Sequence, residues 1–178
     1  MNPAKKLNQL RMELTWSPRQ SNVPVDNFDL DVCAFMLDDD DRLLRDEYFV
    51  FYNNLRSPAD AVVLQADDID GADGEVLLIN LSKVPAQVRR LLFLVTIYNA
   101  EARMQSFDDI TDATVSLYDR TDGSPIVKCR LSDVAQGSTA VQFAEIVRGD
   151  DGEWSFRPLA RGAREPLAHY VALYSRNT

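Results

Sequence analysis

Short apolar segments that alternate with polar residues and end at Asp- and Gly-rich turns constrain the fold of this chain most. Leu10, Met12, Leu14 and Trp16 occupy every second position, the spacing of a half-buried β-strand. Similar segments predict further strands at Leu30–Leu37, Phe49–Tyr52, Ala61–Gln65, Glu75–Leu81, Leu91–Tyr98, Ala113–Tyr118, Pro125–Leu131, Ala140–Val147 and Trp154–Leu159. Short strands with turn residues roughly every 8–12 positions favour a mainly β fold, an antiparallel β-sandwich.

Two stretches carry helical signals. Val84–Arg90 is predicted to form a short helix, with Ser82 as its N-cap and Pro85 in its first turn. A C-terminal helix is predicted over Glu165–Tyr174, whose apolar residues at helical spacing are Leu167, Tyr170, Val171 and Tyr174. Because the 178 residues show no internal repeat and no linker, we expect a single domain over residues 1–178.

The charge of the chain is concentrated in one window. The whole sequence has 28 acidic and 19 basic residues and a formal net charge of -9. Positions 26–75 hold fifteen of the acids and only three arginines, a net charge of -12. This balance argues against nucleic acid as a partner, because phosphate binding needs clustered Lys and Arg. It argues equally against binding to an anionic membrane surface.

Residues that would carry catalysis or cross a membrane are scarce. Cys33 and Cys129 lack metal-type spacing, so we expect small buried thiols in a reducing, cytoplasmic compartment. His169 is the single histidine, and the sequence has no Walker, GxGxxG or GxSxG motif. The longest apolar run, Leu91 to Tyr98, is far shorter than the ~20 residues needed for a membrane span. The sequence therefore predicts a soluble, non-catalytic protein.

Two groups of acidic residues have a spacing that suits a hard cation. Asp29 and Asp31 open a predicted strand and point to the same side of it, about 7 Å apart. The segment Asp67–Glu75 alternates Asp with Gly in a tight loop of the kind that turns oxygens towards calcium, although its spacing is not that of an EF-hand. A solvated strand end and an ordinary hairpin loop explain the same residues, and both interpretations stay open here.

Other oxygen donors are predicted at strand ends. Asn53, Asn54, Asn99 and Glu101 are able to complete a cation site, although each is more often a turn residue. The run Asp38–Asp41 is interpreted as a solvated turn, because four consecutive acids cannot all face one ion.

Five segments occur in a characteristic order along the chain. They are Phe28-Asp29-Leu30-Asp31, Phe49-Val50-Phe51-Tyr52-Asn53-Asn54, Leu81-Ser82-Lys83-Val84-Pro85, Val95-Thr96-Ile97-Tyr98-Asn99-Ala100 and Gly152-Glu153-Trp154-Ser155-Phe156-Arg157. Together they resemble the TerD family, bacterial stress proteins associated with tellurite resistance, over roughly residues 7–175. The resemblance implies a β-sandwich with short helices that binds calcium at acidic loops on one end.

The resemblance also implies a set of calcium ligands. The positions that match the family's acidic segments are Asp29, Asp31, Asp73 and Glu75. Gly74 replaces an acid of the family's Asp-Asp-Glu loop, and Tyr98-Asn99 stands where the family usually has His-Asp. With the additional oxygen donors included, the predicted metal site is Asp29, Asp31, Asn53, Asp73, Glu75, Asn99 and Glu101.

Together with the resemblance, these observations predict a calcium-binding stress-response protein whose acidic end holds one or two Ca²⁺ ions and contacts other stress-response proteins. The alternative is a metal-free interaction or scaffold domain, which the replacements at Gly74 and Asn99 favour. The family's Ser/Gly-rich N-terminal strand has no counterpart here, which would leave a sheet edge open to pairing. We therefore expect a monomer or a weak homodimer.

Overall fold

The computed structural model describes residues 5–18, 28–66 and 74–176 and is mainly β. Its strands are β1 (Gln9–Pro18), β2 (Leu30–Leu37), β3 (Phe49–Val50), β4 (Val62–Ala66), β5 (Gly74–Asn80), β6 (Arg90–Ile97), β7 (Ile110–Asp119), β8 (Pro125–Arg130), β9 (Ala140–Arg148) and β10 (Trp154–Ala163). Helix α1 (Leu167–Tyr174) follows the last strand.

The strands form two five-stranded antiparallel sheets. The first sheet has the order β4-β5-β1-β7-β8, and the second has the order β10-β9-β6-β2-β3. Apolar residues on their facing sides form one core, so the predicted antiparallel sandwich is confirmed. Strand β6 lies at the centre of the second sheet, and seven of its eight residues are buried, as its unbroken apolar sequence predicts.

Helix α1 explains why β2 is buried on both faces. The Tyr174 ring packs on Phe35 of β2, with a centroid separation of 5.1 Å, and the Tyr174 hydroxyl accepts a hydrogen bond from Gln142 Nε2 at 2.8 Å. Phe35 also stacks on Phe49 of β3 at 4.3 Å. The outer face of the second sheet is therefore covered by aromatic side chains over part of its length.

The helix predicted over Val84–Arg90 is wrong. A 3-10 turn occupies Leu81–Lys83, where the side chain of Asn80 accepts a hydrogen bond from Ser82 N at 3.2 Å, so Ser82 is not an N-cap. Arg90 already belongs to β6. Seven residues give too few hydrogen bonds to offset helix nucleation, and buried Val84 and Val88 stabilise an irregular connection instead.

Most strand bounds differ from the predicted ones by a residue or more, and the ends of β3 and β10 have a clear physical cause. Strand β3 stops at Val50 because Phe51 and Asn54 exchange backbone hydrogen bonds of 3.0 and 2.9 Å and close a turn. Strand β10 continues to Ala163, past Pro158, by means of a register shift between Pro158 and Arg161. The C-terminal helix is confirmed, and it begins at Leu167.

Candidate functional site

Asp31 occupies the end of β2 that faces away from the Asp38–Asp41 turn. Its side chain is 7% exposed and lies opposite Thr96 of β6, whereas the preceding Asp29 is exposed. Burial raises the pKa of the Asp31 carboxyl to about 7, and the nearby negative charge of Asp29 adds to the effect. The two acids are close in sequence, as the pattern predicts, but only Asp31 is buried away from solvent.

Glu75 brings a third carboxylate to this place from the other sheet. It lies at the start of β5, and its Oε2 accepts a hydrogen bond from Val32 N of β2 at 2.5 Å. That amide is available because β3 pairs only with Ala34 and Phe35, which leaves this part of the β2 edge open. Burial raises the pKa of Glu75 to about 8, the charges of Asp31 and Asp29 add to the rise, and the Val32 hydrogen bond opposes it.

The three carboxylates lack a compensating positive charge in the described part of the chain. Within residues 5–18, 28–66 and 74–176, no Lys, Arg or His forms an ion pair with Asp29, Asp31 or Glu75. The neighbouring charges that raise the pKa values of Asp31 and Glu75 are all carboxylates. Desolvated like charges are unfavourable unless a cation neutralises them. Carboxylate oxygens are also the donors that calcium prefers.

The described residues supply only part of a metal cage. In the described ranges, no group of three or more His, Cys, Asp or Glu side chains is placed so that it could hold a metal ion. Asp73 and the rest of the Asp67–Asp73 segment lie outside the described residues. The donor chemistry therefore fits calcium, whereas a complete coordination shell needs oxygens beyond these three side chains.

Asn99 and Glu101 lie beside the acidic cluster, in the turn that follows β6. The turn is fixed next to Asp29 by a backbone hydrogen bond of 2.9 Å from Tyr98 N to the Asp29 carbonyl. Asn99 adopts a left-handed conformation with φ 52°, and Asn99 and Glu101 are exposed. Both line a pocket of about 770 Å³ that Asp31 also lines.

The two asparagines after β3 have different environments. Asn53 is exposed in the turn between Phe51 and Asn54, and it is not among the described residues that line the pocket. The Asn54 side chain donates hydrogen bonds to the backbone carbonyls of Phe49 at 2.7 Å and Glu47 at 3.3 Å. Asn54 is therefore a turn-stabilising residue, which is the more common role that its sequence position predicts.

Sequence reasoning missed several residues of the pocket. Tyr52 and Tyr98 lie side by side with ring centroids 6.0 Å apart and an interplanar angle of 89°, and the segment 164–168 closes another wall. Two tyrosines at predicted turns are a sequence signal for a binding surface, since large aromatic residues are uncommon at such positions. No sequence signal links segment 164–168 to β2.

The acidic run at the opposite end of β2 is a structured turn. Asp38 Oδ1 accepts hydrogen bonds of 3.0 Å from the amides of Asp40 and Arg42. Asp38 also pairs with Arg176, and Asp41 pairs with Arg90 at 2.9 Å. The interpretation of this run as a turn is confirmed, and its charges are partly neutralised, unlike those of Asp31 and Glu75.

Comparison with known proteins identifies the family. The TerD domain matches residues 1–174 of the chain. The chain belongs to the TerD family. The resemblance seen in the five sequence segments is thereby confirmed.

Two relatives have names that describe a stress role. Tellurium resistance protein TerD of Serratia marcescens is 34% identical over 177 residues, which cover 98% of this TerD chain and 91% of the relative. General stress protein 16U of Bacillus subtilis (strain 168) is 32% identical over 151 residues, 83% of this chain and 78% of the relative. The chain is thus a member of a tellurium-resistance and stress-response family.

Solved structures share the fold of this TerD protein. A homologue of telluride resistance protein (TerD) from Streptomyces coelicolor A3(2) has a TM-score of 0.75 and 22% identity, over 92% of this chain and 95% of the other. In the described residues, no helix has the length and apolar composition required to cross a membrane.

Proposed function

We propose that this TerD protein is a non-catalytic, calcium-binding stress-response protein whose acidic end contacts other proteins. The observation that carries the proposal is the placement of Asp31 and Glu75, two desolvated carboxylates from different sheets that share an environment with Asp29 and have no basic partner among the described residues. A bound divalent cation would remove their mutual repulsion and connect the two sheets at this end.

The residues that would hold the ion come from several elements. Asp31 and Glu75 are the inner ligands, since they are desolvated, and Asp29 lies at the solvent side. The candidates for the remaining oxygens are Asn53, Asp73, Asn99 and Glu101. Calcium accepts six to eight oxygens with flexible geometry, which suits a site assembled from turns and strand ends.

The state of the cysteines supports a non-catalytic role. Cys33 is fully buried, and burial raises the pKa of its thiol well above the usual value, with the charges of Asp31 and Glu75 adding to the rise. Burial also raises the pKa of the Cys129 thiol. Because the thiolate is the reactive form of cysteine, both side chains are poorly suited to nucleophilic or redox chemistry.

Calcium titration of EDTA-stripped protein tests the proposal. We expect calorimetric binding of Ca²⁺, with little binding of Mg²⁺, and a calcium-dependent rise in melting temperature.

The Asp29→Asn/Asp31→Asn variant should lose both effects of calcium. Without calcium its melting temperature should be no lower than that of the wild type, because the variant loses two charges that repel each other. A matched control is Asp40→Asn/Asp150→Asn, which removes two exposed carboxylates at the other end and should retain the calcium response. An unchanged calcium response in the Asp29/Asp31 variant would refute this site.

A metal-free interaction domain is the second candidate function. It is favoured by the incomplete ligand set of the described residues and by Gly74, which replaces an acid of the family's loop. In that case calcium should cause neither heat nor a shift in melting temperature, and complexes with a partner should form equally well in EDTA.

A further inference from the structure

The pocket beside the acidic cluster has the chemical character of a cation-binding site. It has a volume of about 770 Å³, within the range of protein ligand pockets. Its floor includes the Asp31 carboxylate, which is 7% exposed and receives no hydrogen bond from a described residue. Glu101 and Glu165 add two exposed carboxylates to the walls.

Two aromatic rings form part of the pocket surface. Tyr52 and Tyr98 are 42% and 40% exposed, and their rings are perpendicular, so they form a corner that is open to solvent. The electron-rich face of such a ring attracts ammonium and guanidinium groups. The Arg103 guanidinium lies 5.9 Å from the centroid of the Tyr98 ring, an example of this attraction within the chain itself.

Among the described residues that line the pocket, Arg164 is the one basic side chain, and Arg103 lies beside the Tyr98 ring. Arg164 lines the pocket, but its Nε donates a hydrogen bond of 2.6 Å to the carbonyl of Gly137 and is thereby held towards the wall. Three carboxylates line the same pocket, those of Asp31, Glu101 and Glu165, so acidic side chains outnumber basic ones among its described lining residues. An anionic ligand is therefore disfavoured, and a cationic one is favoured.

The rim of the pocket favours a protein as the source of the cation. Met104 is 91% exposed and lines the same pocket as the two exposed tyrosines. Methionine and tyrosine are enriched in protein interfaces, where methionine adapts its shape to different partners. These side chains would contact the polypeptide on either side of an inserted residue.

We propose that this pocket binds a lysine or arginine side chain of a partner protein, with the two tyrosine rings as walls and the pocket carboxylates as counter-charges. A basic side chain is thus the group that the interaction surface of the proposed function would bind, and this inference rests on that function only for the existence of such a surface. The cation site itself needs no calcium. Because Asp31 belongs to both sites, bound calcium should weaken the binding of the basic side chain.

Binding of a capped ten-residue peptide of alternating glycine and lysine, measured by calorimetry in EDTA, tests the proposal. The Tyr52→Ala/Tyr98→Ala variant should weaken binding roughly tenfold, because two ring faces are lost. Tyr52→Phe/Tyr98→Phe retains both faces and should stay within about twofold of the wild type. Both side chains are in exposed positions, and unchanged melting curves would verify that the variants fold.

A charge-matched pair separates the pocket from general attraction to an acidic protein. Glu101→Gln/Glu165→Gln should weaken the peptide, whereas Asp40→Asn/Asp150→Asn removes the same charge at the other end of β2 and β6 and should have little effect. Equal losses in both variants, no binding at all, or spermidine binding as tightly as the peptide would overturn the proposal. A calcium titration of the same samples reports on the calcium site separately, since peptide binding in EDTA does not depend on it.

Discussion

At the scale of single residues, Asp31 and Glu75 make the stability of the calcium-free protein depend on pH. Their ordinary pKa values are 3.8 and 4.5, and in the folded protein they rise to about 7 and about 8. Between these values the folded state holds protons that the unfolded state has released. The free energy of unfolding should therefore decrease as pH rises from about 4 to about 8 and then level off.

We expect this decrease to amount to a few kcal/mol in EDTA, because each pKa unit corresponds to about 1.4 kcal/mol and relaxation of the site reduces the total. Urea unfolding at pH 5 and pH 8 measures it. The variant Asp31→Asn/Glu75→Gln should show a much smaller difference between the two pH values, and calcium should abolish the difference in the wild type. Equal stability of the wild type at both pH values in EDTA would contradict the arrangement of these carboxylates.

At the scale of elements, helix α1 is attached to the second sheet through Tyr174. Its ring covers Phe35, and its hydroxyl accepts the hydrogen bond from buried Gln142. Tyr174→Ala should lower the free energy of unfolding by about 3–4 kcal/mol, since a buried aromatic ring and a hydrogen-bond partner are both removed. Tyr174→Phe should cost about 1 kcal/mol. Leu173→Ala is the control in the same helix, because Leu173 is 46% exposed and should cost much less.

The elements themselves were largely predictable, because strand periodicity is a local signal. Leu30–Leu37 was predicted with the bounds of β2, and the alternation from Leu10 to Trp16 located β1. The wrong helix at Val84–Arg90 arose because a proline and an N-cap residue also fit a 3-10 turn, and only pairing with β2 and β9 assigns Arg90 to a strand. Strand ends depend on such partners, which one sequence does not reveal.

At the scale of the whole molecule, the candidate site combines residues that are distant in sequence. The proximity of Asp29 to Asp31 was predictable from their two-residue spacing. The approach of Glu75 depends on the open edge of β2. The pocket also needs the segment at the start of α1, because Glu165 and Leu167 line it together with Thr96 of β6. These contacts arise from the packing of two sheets and a helix, and hydrophobic periodicity carries no information about them.

If calcium connects the two sheets, its effect on backbone motion should be confined to one end of the sandwich. Amide exchange at Val32 and Tyr98, whose N–H groups bond to Glu75 and Asp29, should slow on calcium addition. The amides of Asp40 and Arg42, which bond to Asp38 at the other end, are internal controls and should be unaffected. Hydrogen-exchange mass spectrometry measures both ends together. Equal slowing at both ends would indicate a general stabilisation and not a local site.

The different pairing of acids at the two ends of β2 has a consequence for the kinetics of association. Asp38 and Asp41 have arginine partners, whereas Asp29, Asp31 and Glu75 have none among the described residues. The uncompensated negative charge along β2 is therefore concentrated at the end that carries Asp29, Asp31 and Glu75. In the field of a positively charged surface the molecule would rotate before contact. Encounters would then begin at the end with the unpaired acids more often than chance allows, and this bias would decrease as salt shortens the range of the field.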